Sequence, residues 1–202
     1  MKLICIGRNY ADHAKELKNE VPTEPVIFMK PDTALLPKRN PFFLPDFSDE
    51  IHHELELVVR INKIGKSIEE KFAHRYYDQV TVGIDLTARD IQAKCKEKGL
   101  PWEKAKAFDH SAPLGEWVDL GGRDIQNLNL ELKKNGETVQ QGNTNYMLFS
   151  VDRLIAEVSK YFTLKIGDLL FTGTPAGVSK VERNDRLEAY LDGERLLALN
   201  VK

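Results

Sequence analysis

The 202-residue sequence sets 29 Lys and Arg against 31 Asp and Glu, a formal net charge of −2, with 42% hydrophobic and 30% charged residues. That balance is ordinary for a soluble globular chain and gives no bulk pull toward nucleic acid or an anionic membrane, so neither is expected as a partner. No stretch approaches a membrane span, the apolar run in Met1 to Gly7 is too short for a signal peptide, and Cys5 and Cys95 form no metal or redox spacing; the expectation is one domain over 1–202 in a reducing cytoplasm.

In chain order, residues 3–6 read as a short strand, and Gly7-Arg8-Asn9 turns into a helix-like stretch from Tyr10 to Leu17. His13 and Glu16 lie three apart there and share a helix face. A carboxylate beside an imidazole orients it and raises its basicity, as a general base requires, although such pairs are commoner as plain surface contacts. Six prolines between residues 20 and 50 exclude a long helix. Val26 to Met29 is the one strand-like run there, and the interleaved Phe42, Phe43, Leu44 and Phe47 read as a wrapping segment.

The stretch His52 to Ile61 alternates, with Leu55, Leu57, Val59 and Ile61 on one face and Glu54, Glu56, Val58 and Arg60 on the other. This predicts a strand with one buried face. Glu54 and Glu56 then project together, their Cα atoms about 6.5–7 Å apart. A divalent cation is the usual reason to tolerate two carboxylates that close, and hard cations such as Mg²⁺ or Mn²⁺ favour such oxygens. Two ordinary glutamates on a solvated face are the plainer alternative.

Ser67 to Tyr77 reads as a helix with Ile68, Phe72 and Tyr76 at four-residue spacing. Val80 to Asp85 is an apolar strand ending in an acid, and Thr87 with Asp90 resembles a capping box opening a helix that Gly99 and Pro101 close. Asp85 thus stands at a strand-to-helix junction, where working residues and turn-stabilising acids both occur. Arg89 and Gln92 share the first turns of that helix and can present a fork of donors to a carboxylate. Lys106, flanked by Ala and Phe, is more confined than a typical surface lysine. Asn135-Gly136 marks a hairpin, and Ser150 caps a helix with the apolar stripe Val151, Leu154, Ile155, Val158 and Phe162. The strand Leu169 to Phe171 runs into Thr172-Gly173-Thr174-Pro175-Ala176-Gly177-Val178, where glycines allow backbone N–H groups and a hydroxyl close to a ligand. A last hairpin turns at Asp192-Gly193. The expected fold class is α+β, mostly β, with a few short helices.

Taken together, Gly7-Arg8-Asn9-Tyr10-Ala11-Asp12-His13, His53-Glu54-Leu55-Glu56, Asp85 to Gln92, Gly99 to Trp102, Ala105 to Asp109, Gly142-Asn143-Thr144 with Met147 to Ser150, Gly167-Asp168 and Thr172 to Val178 resemble the fumarylacetoacetate hydrolase family, in particular its short acylpyruvase and oxaloacetate decarboxylase members. The stretches occur in family order and span nearly the whole chain.

The resemblance implies a mixed β-sheet roll, a homodimer, and one Mg²⁺ or Mn²⁺ per subunit held by Glu54, Glu56 and Asp85. It places substrate contacts at Arg8, Arg89, Gln92 and Thr174, with Lys106 as a catalytic cation and His13 with Glu16 as a catalytic dyad carried over the ligand by a lid within the N-terminal 1–50. The implied reaction is cleavage of a small 2-oxo acid: hydrolysis of an acylpyruvate to pyruvate and a carboxylic acid, or decarboxylation of oxaloacetate. Isomerase or hydratase chemistry on hydroxydiene dioates, as in other branches, is the alternative, and a non-catalytic module holding a structural cation the remote one. His110 and Tyr146 depart from the residues usual at their positions and bear on substrate choice more than on chemistry.

Overall fold

The computed structural model describes residues 1–11 and 21–202. The expected helix at Tyr10 to Leu17, with His13 and Glu16, lies almost wholly outside the described residues. In chain order the strands and helices are β1 (Leu3–Gly7), β2 (Val26–Lys30), β3 (Ile51–His53), β4 (Leu55–Ile61), β5 (Tyr77–Ile84), β6 (Thr87–Ala88), α1 (Arg89–Lys98), α2 (Glu103–Lys106), β7 (Val118–Asp119), β8 (Asn129–Lys134), β9 (Glu137–Asn143), α3 (Val151–Tyr161), β10 (Leu169–Phe171), β11 (Ser179–Lys180), β12 (Arg186–Leu191) and β13 (Glu194–Asn200). The fold is α+β and mostly β, as its alternating apolar stretches require.

Three sheets form. The largest runs β2-β1-β10-β4-β5-β7, with β1 and β10 parallel (Leu3 beside Leu169) and its other pairs antiparallel. A small sheet β11-β3-β6 and a four-stranded sheet β13-β12-β8-β9 complete the body. The Asn135-Gly136 and Asp192-Gly193 turns join β8 to β9 and β12 to β13, with positive φ at both residues of each pair, as primed hairpin turns demand.

The strand expected over His52 to Ile61 is two strands. β3 pairs with β6 and β11 in the small sheet, β4 pairs with β5 and β10 in the large one, and Glu54 is the single residue between them. Nor is only one face buried. Leu55, Leu57, Val59 and Ile61 share a core with Leu130, Leu132, Leu187, Ala189 and the α3 stripe. Val58, on the other face, joins a second cluster with Leu3, Cys5, Leu169 and Phe171. The sequence alternation misleads because that second face, which β4 shares with its sheet neighbours β1 and β10, packs against Ala34 and Ala112 from loops remote in sequence.

Two helix expectations are also revised. Residues Glu70–Tyr76 form a 3₁₀ helix, whose period of three buries Ala73 and leaves Phe72 exposed, so no four-residue stripe forms. Thr87 belongs to β6, and its hydroxyl donates to the Asp85 carbonyl, so α1 starts at Arg89 without a side-chain cap. Gly99 ends α1 in the left-handed region, φ 62°, where an added Cβ carries a cost. Ser150 Oγ accepts from Arg153 N at 3.2 Å, the cap expected for α3. In the proline-rich segment Phe42 is buried while Phe43 and Phe47 are largely exposed. Among the described residues no helix is long and apolar enough to cross a membrane.

Candidate active site

The break at Glu54 positions the site. Leaving the small sheet and entering the large one, the chain turns both Glu54 and Glu56 into the same buried space. β5 runs antiparallel to β4, Leu55 beside Ile84, and so returns Asp85 to the same end of the strands. Asp85 N donates to the Glu54 carbonyl at 2.8 Å, locking the two backbones together. Glu54 is 5% exposed, Glu56 1% and Asp85 0%, and one carboxylate oxygen from each lies within 4.8 Å of the others.

Among the described residues three cations stand against these acids. Lys106 Nζ, carried by α2, lies 2.8 Å from Glu54 Oε2, 2.7 Å from Asp85 Oδ2 and 2.6 Å from Thr87 Oγ1. Lys30 Nζ, at the end of β2, sits 2.8 Å from Asp85 Oδ1 and also donates to Ser111 Oγ and the Lys106 carbonyl. Arg89 pairs with Glu54 through Nη2, and its Nη1 donates to Gln92 Oε1 at 2.7 Å. Its Nε is buried and has no hydrogen-bond partner among the described residues.

The electrostatics divide the group. Burial opposes the Lys106 charge, but the Asp85 and Glu54 carboxylates outweigh it and hold the ammonium above its ordinary range. Lys106 is therefore a fixed positive charge and not a base near neutral pH. Glu56 is pushed well up, first by burial and then by Asp85 and Glu54, against the opposing pull of the Gly173 N–H and Lys106. Buried carboxylates under mutual repulsion are the condition that a bound divalent cation relieves, and an all-oxygen donor set suits a hard ion. The cluster fits Mg²⁺ or Mn²⁺.

Backbone fixes Glu56 from the far side. Gly173 N donates to Glu56 Oε2 at 2.7 Å. Gly173 has φ 99°, and a Cβ there would lie 2.6 Å from Asn9 Cβ, so the close approach needs glycine. The next residue, Thr174, is 2% exposed. Thr174, Arg8, Arg89, Gln92 and Lys106 line one narrow cavity with Glu54 and Glu56. Arg8 adopts φ 62°, a left-handed conformation that non-glycine residues take at a cost, directly beside the cavity. The structure thus gathers the eight candidate residues among the described ones, while His13 and Glu16 lie outside them. His110 and Tyr146 are exposed and do not line this cavity.

Sequence reading missed several members. Lys30 closes the apolar run of β2 and gave no sign of pairing with Asp85. Lys96 on α1 lines the cavity, its ammonium 5.6 Å from the Trp102 ring centroid. Although the residue as a whole is exposed, burial of its ammonium and then the charges of Arg8 and Arg89 push it down to about 8. Its spacing of four from Gln92 was the available signal.

The family signature described as "Fumarylacetoacetate (FAA) hydrolase C-terminal" matches residues 2–200. The mouse (Mus musculus) protein named oxaloacetate tautomerase FAHD1, mitochondrial, is 45% identical over 201 residues, which is 99% of this chain and 91% of that protein. Oxaloacetate tautomerase YcgM of Escherichia coli is 45% identical over 197 residues, 96% of this chain and 90% of its own. The crystal structure of fumarylpyruvate hydrolase from Pseudomonas aeruginosa, in complex with Mn²⁺ and pyruvate, has a TM-score of 0.94 at 36% identity, covering 100% of this chain and 89% of that one. A match of this extent, in both sequence and three dimensions, leaves one assignment: the chain belongs to the fumarylacetoacetate hydrolase family.

Proposed function

We propose that this chain is an enzyme of small 2-oxo acids which works by stabilising the enolate of its substrate, cleaving a C–C bond of acylpyruvates or of oxaloacetate. The observation that carries the reading is the buried Glu54, Glu56 and Asp85 cluster with Lys106 in direct contact. A divalent cation held by those three carboxylates would supply Lewis-acid polarisation of the 2-oxo oxygen and neutralise developing charge.

The chain's own residues account for the rest. The unpartnered Nε of Arg89 offers a donor to the substrate carboxylate, with Gln92 holding the guanidinium plane. Lys106 stays protonated, so it donates to the oxygen on which negative charge grows and does not abstract protons. Thr174 adds a hydroxyl from the cavity lining. His13, oriented by Glu16, is assigned as the general base that activates water against the distal carbonyl of an acylpyruvate. With oxaloacetate the same electron sink releases CO₂ with no attacking water.

A second reading is favoured by the names of the mouse and Escherichia coli relatives, which are oxaloacetate tautomerases. Keto–enol exchange passes through the same enolate and needs only a proton moved between C3 and the 2-oxo oxygen. The test follows oxaloacetate and acetylpyruvate with Mg²⁺ and with excess EDTA. Metal-dependent pyruvate from acetylpyruvate identifies a hydrolase, and pyruvate from oxaloacetate identifies a decarboxylase. Loss of enol absorbance without pyruvate identifies a tautomerase. No change in either compound refutes the reading, and an unimpaired His13→Ala removes the dyad from it. The homodimer belongs to the same proposal and is checked by light scattering.

A further inference from the structure

Behind Thr174 lies a chain of buried hydrogen bonds that the reaction itself does not explain. Gln140, on β9 of the four-stranded sheet, is 1% exposed and reaches across to two other parts of the fold. Its Oε1 accepts from Leu55 N at 3.0 Å and faces His53 Nδ1 at 2.8 Å. Its Nε2 donates to the Pro175 carbonyl at 3.0 Å and to Thr174 Oγ1 at 2.9 Å. Beyond it, His53 Nε2 lies 2.7 Å from Ser179 Oγ.

Two of these contacts leave no freedom. A backbone N–H only donates and a carbonyl only accepts, so Leu55 and Pro175 together set which end of the Gln140 amide is oxygen and which is nitrogen. The nitrogen therefore faces Thr174, and the Thr174 oxygen is an acceptor in that bond. Its own proton must point elsewhere. Among the described residues that proton has only the Pro175 carbonyl, at 3.4 Å a long contact to an oxygen that already accepts from Gln140 at 3.0 Å. The open direction is the cavity that Thr174 lines beside Glu54 and Glu56.

We propose that Gln140 is a positioning residue that makes the Thr174 hydroxyl an obligate hydrogen-bond donor to an anionic oxygen of the bound 2-oxo acid. The inference rests on the reading of the cavity as a 2-oxo-acid site. A hydroxyl otherwise rotates among three staggered positions and can donate or accept. With its acceptor role already filled by an amide, it favours a carboxylate or enolate oxygen and disfavours a ligand group that must itself donate.

The test is a double-mutant cycle read by calorimetry on the Mg²⁺-loaded protein, with oxalate and pyruvate as probes and melting temperature recorded for each variant. Thr174→Val is expected to weaken both probes about tenfold, the worth of roughly 1.4 kcal/mol, while Thr174→Ser keeps most of the affinity. Gln140→Met frees the hydroxyl to rotate and costs about threefold with the hydroxyl present, but nothing further in the Thr174→Val background. Gln140→Glu can only accept, so it turns the hydroxyl away. Its cost with the hydroxyl present exceeds its cost in the Thr174→Val background, where the added charge acts alone. If Gln140→Glu does not fold, the Gln140→Met cycle decides. Equal losses from Gln140→Met in both backgrounds make Gln140 a packing residue and overturn the proposal. Wild-type protein that binds neither probe overturns the 2-oxo-acid reading, and this inference falls with it; a null cycle on protein that binds overturns this inference alone.

Discussion

Replacing Lys106 by Met separates the two jobs its ammonium performs. The group is 3% exposed and lies 2.8 Å from Glu54 Oε2 and 2.7 Å from Asp85 Oδ2. At an effective dielectric near 20, each contact is worth about 6 kcal/mol before solvation is counted. Most of that offsets the cost of burying the charge, and breaking a buried pair on one side leaves a net loss of about 3–5 kcal/mol. Lys30 still faces Asp85 and Arg89 still faces Glu54, which holds the loss toward the lower end. In a chain of this length each kcal/mol moves the melting temperature by about 2–4 °C, so metal-free Lys106→Met should melt roughly 6–12 °C below the wild type.

The same substitution should strengthen metal binding. The ammonium rests on oxygens of Glu54 and Asp85, two of the three residues whose carboxylates would hold the ion, so lysine and cation compete for one negative cluster. Without the lysine, Mg²⁺ affinity is expected to rise at least tenfold, about 1.4 kcal/mol, even as turnover of oxaloacetate collapses. Saturating Mg²⁺ then recovers more melting temperature in the variant than in the wild type. Calorimetric titration with Mg²⁺ and melting curves with Mg²⁺ or EDTA measure both. Equal or weaker Mg²⁺ affinity in a variant that still melts cooperatively would refute the competition.

Gly173→Ala forces a Cβ to within 2.6 Å of Asn9 Cβ at φ 99°, so a loss of about 1–3 kcal/mol is expected, together with weaker Mg²⁺ binding because the N–H that seats Glu56 moves. Full Mg²⁺ affinity in that variant would contradict the clamp. The Lys96 charge is present below about 8 and lost above it, so KM for an anionic oxo acid should rise as pH passes through about 8, and Lys96→Met should remove the rise. An unchanged profile in that variant assigns the pH effect elsewhere. His53 is fully buried, and burial holds its imidazole down to about 4. The unfolded chain takes up that proton near 6.5, so between those values it binds more protons and stability falls as pH drops, by up to roughly 3 kcal/mol. Denaturant melts across that window measure the slope, which His53→Gln should flatten.

How much of this was legible in the sequence depended on distance along the chain. Local signals carried well. The Asn135-Gly136 turn, the Ser150 cap and the α3 stripe are short-range chemistry, and each took the form its residues required. The paired acids were legible as a pair, and Asp85 as a junction acid, because two-residue periodicity and a strand end are local facts. What could not be read was what covers what. The break at Glu54 exists because two sheets meet there, and burial of Val58 depends on Ala34 and Ala112, far away in sequence. The capping box failed for a similar reason, since Thr87 is held in a strand by pairing with His52 and its hydroxyl lies 2.6 Å from Lys106. Lys30 and Gln140 look like ordinary strand residues until the sheets that bring them to Asp85 and Thr174 are assembled.

The parallel pairing of β1 with β10 sets an order of assembly. Leu3 cannot find Leu169, nor can Gly173 reach Glu56, until nearly the whole chain is available. During synthesis from the N-terminus, the acids at 54, 56 and 85 therefore exist well before the amide that clamps one of them. No fragment ending short of β10 can hold a finished pocket. Contacts this remote are entropically slow to close, so refolding is expected to be slower than its helical segments alone would suggest. The metal affinity proposed for the cluster would then arrive only once β10 has docked, a built-in reporter that the chain has gone beyond mere compaction.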